Sequence, residues 1–227
     1  MTIALITQSN YIPWRGYFDL INNADIFAIY DEVQFTKDDW RNRNRIIIDN
    51  RLQWLTIPVS TKGLFGQKIS ETIVADNFWA KKHFKSLEIN YSKSTNFKLI
   101  MPFLSELYKE AEKQKNLSAI NKIFIKAICD YLEIKTEIID SSIIKKNSSD
   151  KNDRLVEICK AKNATKYLSG PSAKVYIQEN LFNEQGIDVQ WMHYKQYKKY
   201  KQNSKIYEKN CSILDTLFWL PKSEVLI

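Results

Sequence analysis

Glycine, proline, cysteine and histidine are all scarce in this chain of 227 residues, which has five Gly, five Pro, three Cys and two His. The cysteines, Cys129, Cys159 and Cys211, are odd in number and widely spaced, so they indicate neither a disulfide framework nor a Cys-x-x-Cys metal site. Two histidines with such distant cysteines also make a poor zinc site. We therefore expect free thiols and no bound metal.

Long apolar runs are also missing, and none approaches the ~18 residues that a membrane-spanning helix needs. The N-terminal segment reaches the polar Gln8 and Ser9 too early for a secretory signal and has no basic leader. No Gly-x-Ser-x-Gly turn of the kind that serine hydrolases use is found. These absences predict a cytoplasmic protein without a membrane span.

Positive charge is in excess, with 34 Lys and Arg against 26 Asp and Glu, a net charge of +8. This balance directs attention to anionic partners such as nucleic acid, nucleotides, phosphosugars or a membrane surface. The basic residues are scattered, however, and cluster only at 41–51 and 195–209. We interpret the global charge as compositional background and each cluster as a candidate site.

Apolar runs at 3–7 and 26–30 flank a short helical stripe at 16–24, which predicts a βαβ unit with buried parallel strands. Further patterns predict a strand at 53–59, helices at 77–91, 117–132 and 171–182, and more βα units up to residue 192. The order predicts an α/β fold, a mostly parallel Rossmann-like sheet with helices on both faces and a helical insertion. We expect one domain over residues 1–227, with an α/β core at 1–60 and 132–192, an insertion at about 77–131 and a basic and apolar C-terminal extension at 193–227.

The turn at 8–17 follows the first predicted strand, where ligands of open α/β sheets bind. Gln8 and Asn10 offer amide groups, and Tyr11 and Trp14 offer aromatic faces. The competing interpretation is a loop of aromatic residues that packs the domain edge.

Alternating arginines and asparagines follow the second predicted strand and its terminal Asp31. Guanidinium forks bind phosphate or carboxylate in a bidentate manner. Within this segment the candidate substrate-binding residues are Gln34, Arg41, Arg43 and Asn44. The alternative is an intramolecular ion-pair network between these arginines and nearby acidic residues. The two interpretations are compatible if some arginines are paired and others face a ligand. We expect the 8–17 turn and the 41–44 cluster to share one pocket.

His83 and Asp31 are the candidate catalytic bases, because an imidazole or a carboxylate can accept a proton near neutral pH. A lone helical histidine is more often structural, and that interpretation stays open. The 195–209 stretch interleaves lysines with tyrosines, a pattern used by single-stranded nucleic-acid binders. We favour a solvated surface there, and expect the arginines rather than these lysines to bind phosphate.

The segment TQSNYIPWRGYFDLINNADIFAIYDEVQFTKDDWRNRNRI resembles the opening signature of the WbqC-like family of bacterial polysaccharide-cluster proteins. The resemblance continues in QWLTIPV, WAKKHFKSLEINY, KYLSGPSAKVYI and CSILDTLFWL. It implies a role in making or decorating O-antigen or similar surface glycans. One departure is the absence here of the family's common His–Pro pair within 194–202.

A second resemblance concerns fold alone. The turn that opens the first helix is spaced like the His-x-x-His turn of nucleotidylyltransferases and pantothenate-synthetase-like ligases, with Trp14 and Tyr17 at the histidine positions. The later SGPSAK stretch is placed like their second phosphate-binding motif, which adds Ser169 and Lys174 to the candidate substrate-binding residues. Without the two histidines, ordinary adenylyl transfer is not expected.

The resemblance implies a transferase that acts on a nucleotide-linked amino sugar, by acyl or aminoacyl transfer to its amine. Such a reaction would need an acyl donor such as acyl-CoA or an acyl carrier protein. The first alternative is a non-catalytic nucleotide-sugar-binding or scaffold protein of a glycan assembly complex. An RNA-binding protein is the second alternative, and we disfavour a nucleic-acid partner because that reading rests only on charge and the tyrosine–lysine stretch.

Overall fold

A parallel β-sheet forms the centre of the fold in the computed structural model, which describes residues 1–194 and 197–226. In chain order the strands are β1 (Ile3–Thr7), β2 (Ile26–Ile29), β3 (Arg43–Ile48), β4 (Arg51–Thr56), β5 (Glu137–Asp140), β6 (Lys166–Ser169) and β7 (Asp188–Trp191). The helices are α1 (Arg15–Asn22), α2 (Trp79–Tyr91), α3 (Phe97–Ala111), α4 (Leu117–Tyr131), α5 (Lys151–Ala161), α6 (Glu179–Asn183) and α7 (Ile213–Trp219). Short 3₁₀ turns lie at Ile69–Glu71, Ser141–Ile143, Pro171–Val175 and Lys222–Glu224.

The main sheet has the strand order β5-β2-β1-β6-β7, and each neighbouring pair in it is parallel. After β1, the chain adds β2 and β5 on one side of it and then β6 and β7 on the other side. The reversal leaves a crevice at the carboxyl ends of β1 and β6, the position where such sheets bind ligands. This topology confirms the predicted α/β, Rossmann-like fold class.

Both faces of the sheet are covered, which explains the continuous apolar character of the central strands. Leu5 and Phe27 belong to one hydrophobic cluster, which also contains residues of α1 and α4. Ile6 and Ala28 belong to a second cluster, which contains residues of α5 and α6. Alternation along the strands thus divides their side chains between two cores.

Helices α2 and α4 correspond to the predicted helices at 77–91 and 117–132. α3 also lies within the predicted helical insertion, although no separate pattern marks its bounds, and it contains Pro102, a residue that normally interrupts helices. No helix in residues 1–194 and 197–226 is long and apolar enough to cross a membrane.

The predicted strand at 53–59 corresponds to β4, which pairs antiparallel with β3 in a hairpin separate from the main sheet. One local prediction is wrong. The predicted helix at 171–182 divides into a 3₁₀ turn and α6. The interruption has a clear cause, because the Asn152 side chain donates to the Tyr176 carbonyl at 3.2 Å and accepts from the Gln178 amide at 3.0 Å.

A buried carboxylate attaches α7 to the rest of the molecule. Asp215 is fully buried and accepts hydrogen bonds from the Tyr91 hydroxyl at 2.9 Å, the Tyr200 hydroxyl at 2.7 Å and Gln202 Nε2 at 2.7 Å. Burial raises the pKa of Asp215 above its ordinary value. The Tyr91 ring also stacks on Phe218, with centroids 4.4 Å apart. α7, α2 and the segment around residue 200 are therefore joined at one point.

Replacing Tyr91 by Phe keeps this ring stack and removes one donor to Asp215. We expect the free energy of unfolding to fall by about 1.5–3 kcal/mol, the range for a hydrogen bond to a charged group, while Tyr200 and Gln202 continue to donate to Asp215. Urea denaturation measures it. The matched control is Tyr131→Phe, at a tyrosine that packs on Phe103 and has no hydroxyl partner among the described residues. That change should cost less than about 0.5 kcal/mol, and equal losses in the two variants would contradict the assignment.

Candidate functional site

The loop that follows β1 holds a strained turn at the crevice. Ile12 has φ of 40°, in the left-handed region that β-branched residues rarely adopt. Asn44 Nδ2 donates to the carbonyls of Tyr11 and Ile12, at 3.1 and 2.8 Å. The Ser212 hydroxyl also donates to the Ile12 carbonyl, at 2.7 Å. Strain of this kind persists only where the surroundings fix it, and it is concentrated at functional sites.

Asp31 fixes the beginning of the same loop. Its carboxylate accepts from the Ser9 amide at 2.8 Å, the Ser9 hydroxyl at 2.7 Å and the Ser118 hydroxyl at 2.5 Å. Asn121 Nδ2 then donates to the Ser9 hydroxyl oxygen and to the Arg41 carbonyl. Asp31 is only 2% exposed, so its carboxylate positions the loop.

Arg41 joins the two segments that the sequence analysis expected to share a pocket. Its guanidinium donates to the Gln8 side-chain oxygen at 3.1 Å and to Asn10 Oδ1. The Asp39 carboxylate lies 3.6 Å away, too far for a good hydrogen bond. Two neutral amides and one distant carboxylate leave the charge of this side chain, which is 17% exposed, incompletely compensated.

Asn10, which accepts from the Arg41 guanidinium, also lines a groove of about 200 Å³ that we name the asparagine groove. It is lined by Asn10, Pro13, Trp14, Trp40, Asn44 and Asn210. The Asn44 amide is engaged with the strained turn, and its oxygen accepts from the Arg45 amide at 2.8 Å. Two indoles, the Asn210 amide and the Nδ2 group of Asn10 therefore remain for a ligand, since Asn10 Oδ1 accepts from Arg41. Apolar ring faces with a few polar groups are typical of small-molecule sites.

Trp14 owes its position to Gly16. A Cβ atom at Gly16 would overlap the Trp14 indole, which packs against Tyr194 and Tyr197 with ring centroids 5.0 and 6.0 Å away. Glycine at this position therefore lets Trp14 fold back over the beginning of α1.

Arg43 and Arg45 lie on one face of β3, as expected for an extended segment. Arg43 stacks over Trp54 at 4.1 Å from the ring centroid and pairs with Asp38 at 3.0 Å. Arg45 stacks more loosely over Trp40 and Trp54, at 5.3 and 5.2 Å. The ion-pair interpretation thus describes Arg43, whereas Arg41 retains capacity for a ligand.

His83 and Tyr11 lie in the core. The His83 ring is 6% exposed, and its Nδ1 lies 2.9 Å from the Tyr11 hydroxyl, which in turn lies 2.9 Å from the Tyr108 hydroxyl. Burial lowers the pKa of His83 to about 4. These contacts describe a neutral, structural imidazole, and the catalytic roles of His83 and Asp31 stay predictions.

Three further candidates have no described contact with the asparagine groove. Gln34 is exposed and forms a backbone bridge with Lys68. Ser169 is buried at the end of β6, and the exposed Lys174 lies over the Trp191 ring at 5.4 Å. Five residues of the site are not among the predicted ones: Trp40 and Asn210 line the groove, and Ser118, Asn121 and Ser212 support the loop. All of these except Trp40 come from distant parts of the chain and reach the site only through the tertiary fold, so no local sequence pattern could have identified them.

The burial of His83 predicts a pH-dependent stability. The unfolded imidazole takes up a proton below pH of about 6.5, whereas the folded one does so only near pH 4. The free energy of unfolding should therefore fall by about 3 kcal/mol through this residue as the pH drops through that window. Urea denaturation at several pH values should show this slope in the native protein and in His193→Gln, at the exposed histidine. His83→Gln should lose that part of the slope, and three identical profiles would refute the role.

Comparison with known proteins identifies a family. The sequence profile of the WbqC-like protein family matches residues 8–227. The chain is 48% identical over 213 residues to the uncharacterized protein Rv1507c of Mycobacterium tuberculosis, an alignment that covers 94% of this chain and 91% of that protein. No solved structure matches the chain. With the profile matched from the loop after β1 to the C-terminus, the chain belongs to the WbqC-like protein family.

Proposed function

We propose that this protein binds a nucleotide-linked amino sugar at the carboxyl edge of its sheet and acts in the synthesis of bacterial surface glycans. One observation carries the proposal: the Arg41 guanidinium is held by neutral amides beside a groove walled by two indoles. Family membership supports the surface-glycan setting, since the resemblance to the WbqC-like family implies that role.

The phosphate of such a ligand suits Arg41. Its amide partners orient the fork without neutralising it, so little side-chain entropy is lost when an anion binds. A phosphate oxygen would form the charge-assisted hydrogen bond with Arg41 that the Asp39 carboxylate, at 3.6 Å, is too far away to form.

The sugar suits the asparagine groove. Its volume of about 200 Å³ matches one ring better than a whole nucleotide sugar, since drug-sized ligands occupy about 300–1,000 Å³. The faces of Trp14 and Trp40 can cover the C–H face of a sugar ring, while amides serve its hydroxyl or amine substituents.

Transfer of an acyl or aminoacyl group to the sugar amine is the reaction that we propose if the protein is an enzyme, with acyl-CoA or an acyl carrier protein as donor. Among the described residues that line the groove, neither Asp31 nor His83 occurs. Their engagement in buried hydrogen bonds favours the second candidate, a non-catalytic nucleotide-sugar-binding protein. Product formation, assayed with each acyl donor, separates the two candidates.

Replacing Arg41 by Ala should weaken binding of UDP-N-acetylglucosamine by about 10- to 150-fold, equivalent to about 1.5–3 kcal/mol for a hydrogen bond to a charged group. Isothermal titration calorimetry measures this. Arg43→Ala is the matched control, because Arg43 is occupied by Asp38 and Trp54, and its loss should change affinity less than about threefold. A larger loss in the Arg43 variant would place the phosphate on the hairpin and refute this site.

A further inference from the structure

A second, larger cleft adjoins the asparagine groove on the far side of Trp14. It has a volume of about 720 Å³, and we name it the tyrosine cleft after its walls. Those walls include Trp14, Tyr194, Tyr197, Tyr200 and Tyr207. Trp14 and Asn210 line both the cleft and the groove, so one extended ligand can occupy the two together.

Arg15 places a positive charge in the wall of this cleft. The residue is 7% exposed and lines the cleft, with its guanidinium 4.1 Å from the Tyr197 ring centroid. It donates to the main-chain carbonyls of Val225 at 3.0 Å and Glu224 at 3.1 Å. Its Nη1 atom is buried with no hydrogen-bond partner, and Arg15 forms no ion pair, among the residues that the structure describes. The nearest buried carboxylate on the same helix, Asp19, accepts from the Tyr197 hydroxyl. The unpartnered Nη1 of Arg15 can donate a charge-assisted hydrogen bond to an anion in the cleft.

Lysines at the cleft add to that charge. Lys199 and Lys209 line it together with one carboxylate, Glu208. Lys199 lies 5.9 Å from the Tyr207 ring centroid. The lysines are exposed, as the sequence analysis expected, but the tyrosines between them are half-buried and form walls. Lys195 and Gln196 of this stretch lie outside the described residues.

The aromatic walls suit a flat, unsaturated ring. Tyr200 and Tyr207 meet edge to face with centroids 5.5 Å apart, and Trp14 packs on Tyr194 at 5.0 Å. Burial raises the pKa of Tyr194 to about 12, so its phenol is neutral at physiological pH. Nucleobases stack on neutral aromatic side chains of this kind, and neighbouring cations then hold the phosphate.

The position of the cleft agrees with such a ligand. Trp14 follows β1, Tyr194 follows β7, and the Tyr194 hydroxyl lies 3.7 Å from the position of a Cβ atom built on Gly170, just after β6. The cleft therefore opens at the crevice where the strand order reverses, between β1 and β6.

We propose that the tyrosine cleft binds the nucleoside monophosphate part of the ligand, with the base against the tyrosines and the phosphate near Arg15 and Lys199. This assignment deepens the proposed function and rests on it, since the groove across Trp14 would hold the sugar. A cleft of about 720 Å³ has the size of a site for one small ligand, which favours a single nucleotide over an RNA strand that needs an extended track.

UMP is the probe for the cleft, measured by isothermal titration calorimetry on the full chain. Lys199→Glu should weaken UMP binding at least tenfold. The matched control is Lys205→Glu, which makes the same change of net charge on the same segment at a lysine that lines a different pocket. It should leave the affinity within twofold. Tyr207→Ala should also weaken binding at least fivefold, whereas Tyr207→Phe keeps the stacking face and should bind normally.

No saturable UMP binding, or equal losses in the two lysine variants, would overturn the assignment. A uridine decamer that binds far more tightly than UMP, with a salt dependence of several phosphates, would also overturn it and favour RNA. Displacement of UMP by coenzyme A but not by UDP-N-acetylglucosamine would contradict the proposal. The cleft would then be the site of the acyl donor. N-acetylglucosamine 1-phosphate tests the groove separately, because its binding should depend on Arg41 and not on Lys199. If only this second probe fails, the proposed function fails while the cleft still binds a nucleotide.

Discussion

The hydrogen bonds between Asp31 and Ser9 are the interaction on which the site depends. β1 and β2 are parallel neighbours, so their carboxyl ends meet and the residue after one strand can hold the loop after the other. Asp31 uses this proximity to fix both the amide and the hydroxyl of Ser9. The loop therefore leaves β1 in one direction, and the strained turn at Ile12 comes at a defined place.

Helix α4 extends this control to Arg41. Its buried face is apolar except for Ser118 and Asn121, which would be costly in a core without partners. Ser118 completes the hydrogen bonds to Asp31, and Asn121 joins the Ser9 hydroxyl to the Arg41 carbonyl. The insertion helix thus sets the distance between the loop and the arginine, and its two buried polar residues serve the site more than the core.

Local patterns predicted β1, α1 and β2 because these elements are defined by nearby residues: continuous apolar runs with a polar turn between them. The same patterns could not show that His83 is buried, since its surroundings come from Tyr11, 72 residues earlier in the chain. They could not show the interruption at 176–178 either, because Asn152 from another helix causes it. The proximity of Gln8 and Asn10 to Arg41 could be predicted because the carboxyl ends of neighbouring parallel strands meet at one edge of the sheet, however far apart the strands are in the chain.

Arg15 and Arg41 lie on either side of Trp14 and share an unusual property. Each is largely buried, and each donates its hydrogen bonds to neutral oxygens: main-chain carbonyls for Arg15 and side-chain amides for Arg41, which also forms an ion pair with Asp39 at 3.6 Å. Arg43, in contrast, pairs with a carboxylate at 3.0 Å and stacks on an indole face, and only its Nε is buried without a hydrogen-bond partner among the described residues. Neutral partners fix the direction of a guanidinium and leave its charge available. The loop after β1 therefore presents two oriented cations separated by an indole, an arrangement complementary to a ligand with phosphate groups between two rings.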